Sequence, residues 1–267
     1  MDLGLKNRVA LVTAASKGLG RATALLLAQE GARVAICARA RGTQGQAALN
    51  RTRDEIAALG GDVLALQADV SEPGAAQTLI DATLARFGGL DVLIANAGGP
   101  PAGGFQNLSE KDWEAAVQLT LMSFVRLCKA AIPVMIKSAA ASILAVTSMS
   151  VKQPLDNLIL SNSLRLGVTG IVKSLADELG PDGVRVNAIC PGWTHTDRVD
   201  HLLQDRAARN GTSVDAEVAP IARAVPLGRL ASPDEFARAA AFLVSPAASY
   251  ITGVSLLVDG GMYRGVM

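Results

Sequence analysis

The sequence predicts an α/β protein whose single domain is a doubly wound parallel sheet. Short apolar runs rich in β-branched residues alternate with segments of helical periodicity over most of the 267 residues. Half of the residues are hydrophobic but only 3% are aromatic, which suits helices packed closely on a sheet. Alternating strands and helices form βαβ units, and their parallel strands need helices on both faces. We therefore expect one Rossmann-type three-layer α/β/α domain over residues 1–267.

The apolar runs give the predicted strands in chain order. They span residues 9–13, 33–38, 63–67, 92–95, 142–147, 184–189 and 254–258. Between the third and fourth runs, Leu79, Ile80, Thr83 and Phe87 recur at helical spacing. Because parallel crossovers are right-handed, the intervening helices are expected to cover both faces of the sheet.

One segment, residues 193–226, interrupts this alternation. It is polar and mixed, and it follows the predicted strand 184–189 and the turn Pro191-Gly192. An insertion at the carboxyl end of a strand lies where open α/β sheets bind ligands. Long loops in compact domains are usually functional or disordered. The segment is therefore predicted to be a lid over a substrate, and a plain surface excursion is the alternative.

The first predicted strand leads through a glycine-containing turn into a helix. Free backbone N–H groups and the positive end of the helix dipole bind phosphate at such a helix start. The sequence therefore predicts a dinucleotide site. Its first contacts are predicted to be Thr13, Ser16, Lys17, Gly18, Leu19 and Gly20.

Two other strand ends add predicted cofactor contacts. Asn96, Ala97 and Gly98 follow the fourth predicted strand, where small residues leave room for a ligand. Asp69 and Val70 follow the third. The Asp69 carboxylate is predicted either to accept from an adenine amino group or to cap a helix near residue 71, and both interpretations stay open.

The end of the second predicted strand bears on the choice between NAD and NADP. A carboxylate about twenty residues beyond the turn binds the ribose 2′-hydroxyl, whereas an arginine there accommodates a 2′-phosphate. Arg39 holds this place, Arg41 follows, and no acidic residue lies between residues 30 and 54. With Lys17 in the turn, the pattern predicts NADP(H) in preference to NAD(H), and a solvated basic loop is the alternative.

Charge balance and cysteine usage argue against several other classes of protein. A formal net charge of +1 provides no long-range field for nucleic acid or an anionic membrane. The uncharged segment 92–109 contains two adjacent prolines, which argues against a spanning helix. Cys37, Cys128 and Cys190 are far apart and set among apolar residues, which predicts buried thiols rather than a disulfide or metal site. We expect a cytoplasmic protein.

Taken together, these residues resemble the short-chain dehydrogenase/reductase family, of the compact type that includes the 3-oxoacyl-carrier-protein reductases. The family's Thr-Gly-x-x-x-Gly-x-Gly turn matches residues 13–20, with Ala14 replacing the first glycine, and its Asn-Asn-Ala-Gly motif matches residues 95–98. Its Pro-Gly and Asp-Gly-Gly elements match residues 191–192 and 259–261. The resemblance implies an oxidoreductase that forms a homodimer or homotetramer through helices around residues 117–134 and 164–179, and packing of their apolar faces in the core is the alternative. It also implies cofactor contacts at Pro191, Gly192 and Thr194.

The catalytic positions depart from the family pattern. The family uses a serine after the fifth strand, then tyrosine and lysine in Tyr-x-x-x-Lys on the next helix. Ser148 falls on the serine, but Ser161 and Arg165 occupy the tyrosine and lysine positions. Gln118 stands where an upstream asparagine is expected. Both tyrosines of the chain lie beyond residue 226, so no realignment restores the pair.

This loss affects proton transfer most directly. A serine hydroxyl is a much weaker acid than tyrosine, and an arginine is effectively never deprotonated. Ser148 still offers a hydrogen bond to a substrate oxygen, and Arg165 still offers positive charge to an alkoxide. His195 and Asp156 are weak candidates for a replacement acid, and a surface histidine and a helix-capping aspartate are the alternatives.

Two functions remain open on this basis. One is an NADP(H)-dependent oxidoreductase acting on a small carbonyl or alcohol, with an atypical site that lacks the usual tyrosine and lysine. The other is a catalytically inactive dinucleotide-binding subunit or sensor on the same fold.

Overall fold

One parallel sheet of seven strands organises residues 2–266, the part of the chain that this computed structural model describes. The order across the sheet is β3-β2-β1-β4-β5-β6-β7. The strands are β1 (Val9–Val12), β2 (Arg33–Ala38), β3 (Val63–Gln67), β4 (Val92–Ala95), β5 (Ser142–Val146), β6 (Arg185–Pro191) and β7 (Ser255–Val258). This order reverses direction between β1 and β4, as in a doubly wound sheet. The predicted fold class is confirmed.

The strand bounds follow the apolar runs closely. The predicted strands at 33–38, 63–67 and 92–95 have the observed bounds, and the first and fifth end one residue early. The sixth extends to Pro191 because that residue still pairs with Val258 of β7.

Helices cover both faces of the sheet. They are α1 (Gly18–Gln29), α2 (Gly42–Ala58), α3 (Ala75–Phe87), α4 (Glu110–Ala116), α5 (Ser123–Met135), α6 (Ile159–Leu179), α7 (Asp197–Asn210), α8 (Val214–Ala224) and α9 (Pro233–Val244). A π-helical turn, Val117–Met122, joins α4 to α5 without a break.

The core has two layers, one on each face of the sheet. Alternate residues of β1 divide between them: Val9 and Leu11 pack with α3, α5 and α6, and Ala10 and Val12 pack with α1, α2 and α9. This alternation follows from the two-residue period of a strand and explains why its residues are continuously apolar. Packing on both faces holds the sheet rigidly, so residues at the carboxyl ends of its strands have fixed positions.

Two sequence features have clear places in this core. By length and composition alone, the helical stretch Glu110–Met135 could cross a bilayer, but its residues Phe124 and Leu127 are buried against the sheet. The cysteines at positions 37, 128 and 190 are free and buried, as predicted. Burial raises the pKa of the Cys37 and Cys128 thiols to about 12, so both are neutral at physiological pH.

Candidate active site

A cavity of about 520 Å³ opens at the carboxyl edge of the sheet. Its walls come from the turn after β1, from the ends of β2 to β6, and from the start of α7. This is the topological switch point between β1 and β4, where doubly wound sheets bind ligands. The predicted site residues that line it are Ser16, Lys17, Gly18, Leu19, Arg39, Asp69, Val70, Asn96, Ala97, Gly98, Ser148, Ser161, Arg165, Pro191, Gly192 and Thr194.

Thr13 and Gly20 do not line this cavity but build its wall. The buried Thr13 hydroxyl donates to the carbonyl of Asn96 at 2.6 Å and accepts from the Asn96 N–H at 2.8 Å. A Cβ on Gly20 would lie 2.4 Å from the carbonyl oxygen of Ala14 and 2.9 Å from Nδ2 of Asn96. These close approaches clamp the turn after β1 against the end of β4.

Ala14 has a left-handed backbone, with φ of 50°, at the position where the family pattern has glycine. For a residue with a Cβ this conformation costs about 1–2 kcal/mol. The neighbouring N–H of Ala15 donates to the carbonyl of Cys37 at 2.9 Å, which holds the turn against β2. The turn keeps the shape of a glycine turn at some cost in strain.

Most charges at the first end of the cavity are paired. Nζ of Lys17 lies 3.0 Å from a carboxylate oxygen of Asp197, and this hydrogen bond lowers the pKa of Asp197 below its usual value. Nη2 of Arg41 lies 3.1 Å from Asp69. Arg39 belongs to none of the ion pairs within residues 2–266. One guanidinium therefore remains available at the end of β2.

Asp69 is held in a local turn rather than at a helix start. Its carboxylate accepts from the N–H of Ser71 at 3.1 Å and from the Ser71 hydroxyl at 2.7 Å. Burial raises the pKa of Asp69, but these bonds and the charges of Arg39 and Arg41 outweigh it and leave the pKa below its usual value. Helix α3 begins at Ala75 after Gly74, so the helix-capping alternative is wrong.

The other end of the cavity contains the three predicted catalytic positions. Ser148 follows β5, and its hydroxyl accepts from the N–H of Ser150 at 3.1 Å. Ser161 and Arg165 lie four residues apart on α6 and so share one face of the helix. Oγ of Ser161 lies 3.4 Å from Oγ of Ser150. No tyrosine lines the part of the cavity formed by residues 2–266.

Arg165 is buried, with 9% of its surface exposed. Its Nη1 donates to the carbonyls of Val146 at 2.8 Å and Thr147 at 3.0 Å, at the end of β5. Burial, together with repulsion by Arg198, lowers the pKa of Arg165 to about 10. The guanidinium therefore still carries its charge at neutral pH.

A second cavity of about 20 Å³ lies behind Arg165. It has room for one water molecule, and its largely apolar lining includes the polar residues Asn96, Thr120 and Ser123. The Thr120 hydroxyl is buried without a hydrogen-bond partner among residues 2–266. A water molecule in this cavity would give that hydroxyl a partner.

Thr120 is a site residue that the sequence reasoning missed. Gln118 is exposed and accepts from Nη2 of Arg126 at 2.6 Å, so it does not reach either cavity. Both residues belong to the π-helical turn, where α-helical spacing no longer tells which side chain faces inward. The one available signal was a hydroxyl between Leu119 and Leu121 in an apolar stretch.

The two candidate replacement acids do not line the cavity. His195 is exposed, which matches the surface alternative. Asp156 is exposed as well and caps no helix, because α6 begins at Ile159 after Leu158. Neither candidate therefore replaces the tyrosine from within the cavity.

The segment predicted as a lid is mostly helical. It contains α7 and α8, which share a small apolar cluster centred on Leu203 and Ile221. The start of α7 borders the cavity, where Nη2 of Arg198 donates to the carbonyl of Pro100 at 2.7 Å. Together with the Lys17–Asp197 pair, this contact joins the segment to the loops after β1 and β4.

Comparison with known proteins identifies the family. A family model described as enoyl-(acyl carrier protein) reductase matches residues 13–263. A 3-oxoacyl-acyl-carrier-protein reductase of Synechocystis sp. is 36% identical over 97% of this chain and 98% of its own length. The chain belongs to the short-chain dehydrogenase/reductase family. It is an oxidoreductase of that family.

Other named oxidoreductases match over almost the whole of both chains. A D-threitol dehydrogenase of Mycolicibacterium smegmatis is 35% identical over 97% of this chain and 94% of its own length. The crystal structure of L-sorbose reductase from Gluconobacter frateurii, complexed with NADPH and L-sorbose, superposes with a TM-score of 0.92 at 30% identity. That match covers 100% of both chains. The named relatives act on different compounds, so family membership does not identify a substrate.

Proposed function

We propose that this protein is an NADP(H)-dependent oxidoreductase that interconverts a small carbonyl compound and its alcohol through an atypical active site. The observation that carries the proposal is the joint placement, in one cavity, of unpaired Arg39 at one end and of Ser148 and Arg165 at the other. The NADPH complexes of similar reductases support the choice of cofactor.

The residues at the first end fit such a cofactor. Gly18 begins α1 with φ of 57°, so that free N–H groups at the helix start are open to a pyrophosphate. Arg39, without a carboxylate partner, suits a 2′-phosphate. The proposed direct contacts are Ser16, Lys17, Gly18, Leu19, Arg39, Asp69, Val70, Asn96, Ala97, Gly98, Pro191, Gly192 and Thr194. Thr13 and Gly20 act by holding this wall in place.

When bound, NADPH supplies the hydride that a carbonyl carbon accepts. The Ser148 hydroxyl donates a hydrogen bond to the substrate oxygen, and the charge of Arg165 stabilises the alkoxide that develops there. Ser161 lines the same end but is too weak an acid to replace the tyrosine. Water is then the source of the proton, and loss of a positioned general acid lowers the rate by about 10²–10⁴.

The remaining expectations are part of the same proposal. Residues 193–226 serve as a lid, because their first helix closes one side of the cavity through Arg198 and Asp197. The protein assembles as a homodimer or homotetramer through the helices around residues 117–134 and 164–179, which are α5 with the turn before it and α6, and it acts in the cytoplasm.

Cofactor titration and a substrate screen test the proposal. NADPH and NADH are titrated by fluorescence, and NADPH oxidation is then followed with a panel of carbonyl compounds. We expect NADPH to bind more tightly and at least one compound to be reduced slowly. Ser148→Ala should lower that rate by about 10²-fold, as when one donor to an oxyanion is removed, with NADPH affinity unchanged.

The outcomes separate the two functions. Tight NADPH binding with no reduction of any compound above background would establish the inactive dinucleotide-binding subunit instead. Tighter binding of NADH than of NADPH would contradict the role given to Arg39.

A further inference from the structure

The catalytic end of the cavity and its rim contain two guanidinium groups that form no salt bridge with a carboxylate of the described residues. Arg165 lines it from α6, and Arg198 lines it from the start of α7. Neither belongs to an ion pair within residues 2–266. The acidic residues among those that line the cavity, Asp69 and Asp197, are paired at the other end with Arg41 and Lys17.

The guanidinium of Arg165 has one free edge. Nη1 makes both of its hydrogen bonds to backbone carbonyls, and within residues 2–266 no partner exists for Nε or Nη2. Neither nitrogen is among the fully buried atoms without a partner, and Arg165 lines both the main cavity and the small one. Nε and Nη2 carry two parallel N–H donors, the arrangement that binds both oxygens of a carboxylate.

A buried cation without a counter-charge is costly, because desolvation removes several kcal/mol of hydration. The two backbone bonds of Arg165 offset only part of this cost. The charge of Arg198 reaches Arg165 and adds repulsion. An anion between the guanidinium groups of Arg165 and Arg198 would offset both the desolvation cost and the repulsion.

This anion is not one of the cofactor's phosphates. The phosphate-binding turn follows β1 and Arg39 follows β2, whereas Arg165 is fixed to the end of β5. Strand β4 lies between β1 and β5, which places the two strand ends about 10 Å apart. Ser148, which is proposed to bind the substrate oxygen, directly follows Thr147, whose carbonyl holds Arg165. Arg165 is therefore held on the substrate's side of the cavity.

We propose that the substrate is a short oxo acid, whose carboxylate binds the free edge of Arg165 and is covered by Arg198. This inference rests on the proposed function and narrows its substrate class. We expect a short spacing between carboxylate and carbonyl, because the Thr147 carbonyl that holds Arg165 directly precedes Ser148, the proposed partner of the substrate oxygen. Arg165 stands where the family pattern has lysine. It then binds the substrate carboxylate as well as stabilising the charge of the alkoxide.

Calorimetric titration of the NADP⁺-saturated protein tests this without any turnover. Pyruvate and acetoacetate are each compared with their methyl esters, which keep the carbonyl but lack the charge. We expect each acid to bind about 10-fold or more tightly than its ester, the range of a charge-assisted hydrogen bond. Arg165→Gln should abolish the preference and Arg198→Gln should reduce it.

A matched control is Arg238→Gln, which removes an exposed arginine of α9 outside the cavity and should leave the preference unchanged. If Arg165→Gln does not fold, two other variants still test the acid preference. Arg198→Gln changes a residue at the rim of the cavity. Arg165→Lys keeps the positive charge but removes the forked pair of donors. Arg165→Lys should retain only part of the preference.

Equal binding of acids and esters by the unaltered protein would overturn the inference, and so would a preference that survives in Arg165→Gln and Arg198→Gln. A fall in NADP⁺ affinity in Arg165→Gln, with the acid preference retained, would assign Arg165 to the cofactor. Because binding is measured, a protein that fails every reduction assay can still show the preference. A protein that binds no NADP⁺ fails the proposed function, and the acids are then titrated against the free protein.

Discussion

The two ends of the cavity differ in how their polar groups are satisfied. At the cofactor end, Lys17 pairs with Asp197, Arg41 pairs with Asp69, and Thr13 makes two short bonds to the backbone of Asn96. At the catalytic end, Arg165 has a free edge, and the Thr120 hydroxyl has no partner among the described residues.

The two ends of the cavity also differ in how closely their residues follow the family pattern. At the cofactor end, Ala14 has the left-handed conformation that favours glycine, at the position where the family pattern has glycine. In the function proposed above, the catalytic end lacks the family's proton donor and has a forked cation in place of lysine, which is a change in chemistry and not in fold. Binding of a dinucleotide and turnover of a substrate can therefore be tested separately.

The largest effect is expected when the family's tyrosine and lysine are restored at the catalytic end. Ser161→Tyr combined with Arg165→Lys should raise the rate of reduction of a neutral carbonyl by about 10²–10⁴-fold, because it returns a positioned acid with a neighbouring ammonium. Stopped-flow measurement of NADPH oxidation checks this, with each single variant as a control. No gain in the double variant would show that the shape of the pocket has changed as well.

At the cofactor end, Arg39→Gln should weaken NADPH binding by about 10-fold or more, because a charged hydrogen bond to the 2′-phosphate is lost. NADH binding should stay within about twofold, since that cofactor has no such phosphate. Arg41→Gln is the matched control and should have the smaller effect, because Arg41 is already engaged with Asp69. Parallel fluorescence titrations decide, and equal losses for both cofactors would refute the assignment.

Much of this site was predictable from the sequence, because strand ends and turns are local features. The residues at the ends of β1 to β4 were found from apolar runs followed by small or polar residues. The helical form of residues 193–226 was not predicted, since it depends on packing of Leu203 against Ile221 across a turn. The inward position of Thr120 was missed for a similar reason, because a π-helical turn breaks the expected spacing.

A smaller effect, on stability, tests the difference in hydrogen bonding between the two ends of the cavity. Thr13→Val should lower the free energy of unfolding by about 1–3 kcal/mol, because it leaves partly buried backbone groups of Asn96 without their partner. Thr13→Ser keeps the hydroxyl and should lose less. Ser161→Ala, at the catalytic end, should lose less than Thr13→Val, since its one hydroxyl contact is long at 3.4 Å. Urea denaturation measures all three, and equal losses for Thr13→Val and Ser161→Ala would remove the contrast.

The smallest expected effect concerns Ala14. Ala14→Gly should be neutral or stabilise the protein by up to about 1 kcal/mol, because relief of the left-handed strain offsets the greater entropy of the unfolded chain. Ala47→Gly, at an exposed position inside α2, is the control and should destabilise by about 1 kcal/mol. Thermal unfolding compares them. A loss of the same size in both variants would mean that the turn stores no strain.

The π-helical turn before α5 lies between Thr120 and the core residues of α5, and its length determines which way each of these side chains faces. A π-helical turn rotates the chain less for each residue than an α-helix does, so the segment Val117–Met122 turns the chain about as far as an α-helix that is one residue shorter. Deletion of one residue there would restore an unbroken α-helix and leave Phe124 and Leu127 facing the sheet, while another side chain takes the inward place of Thr120. A change in the length of this turn would therefore alter the site while the core survives.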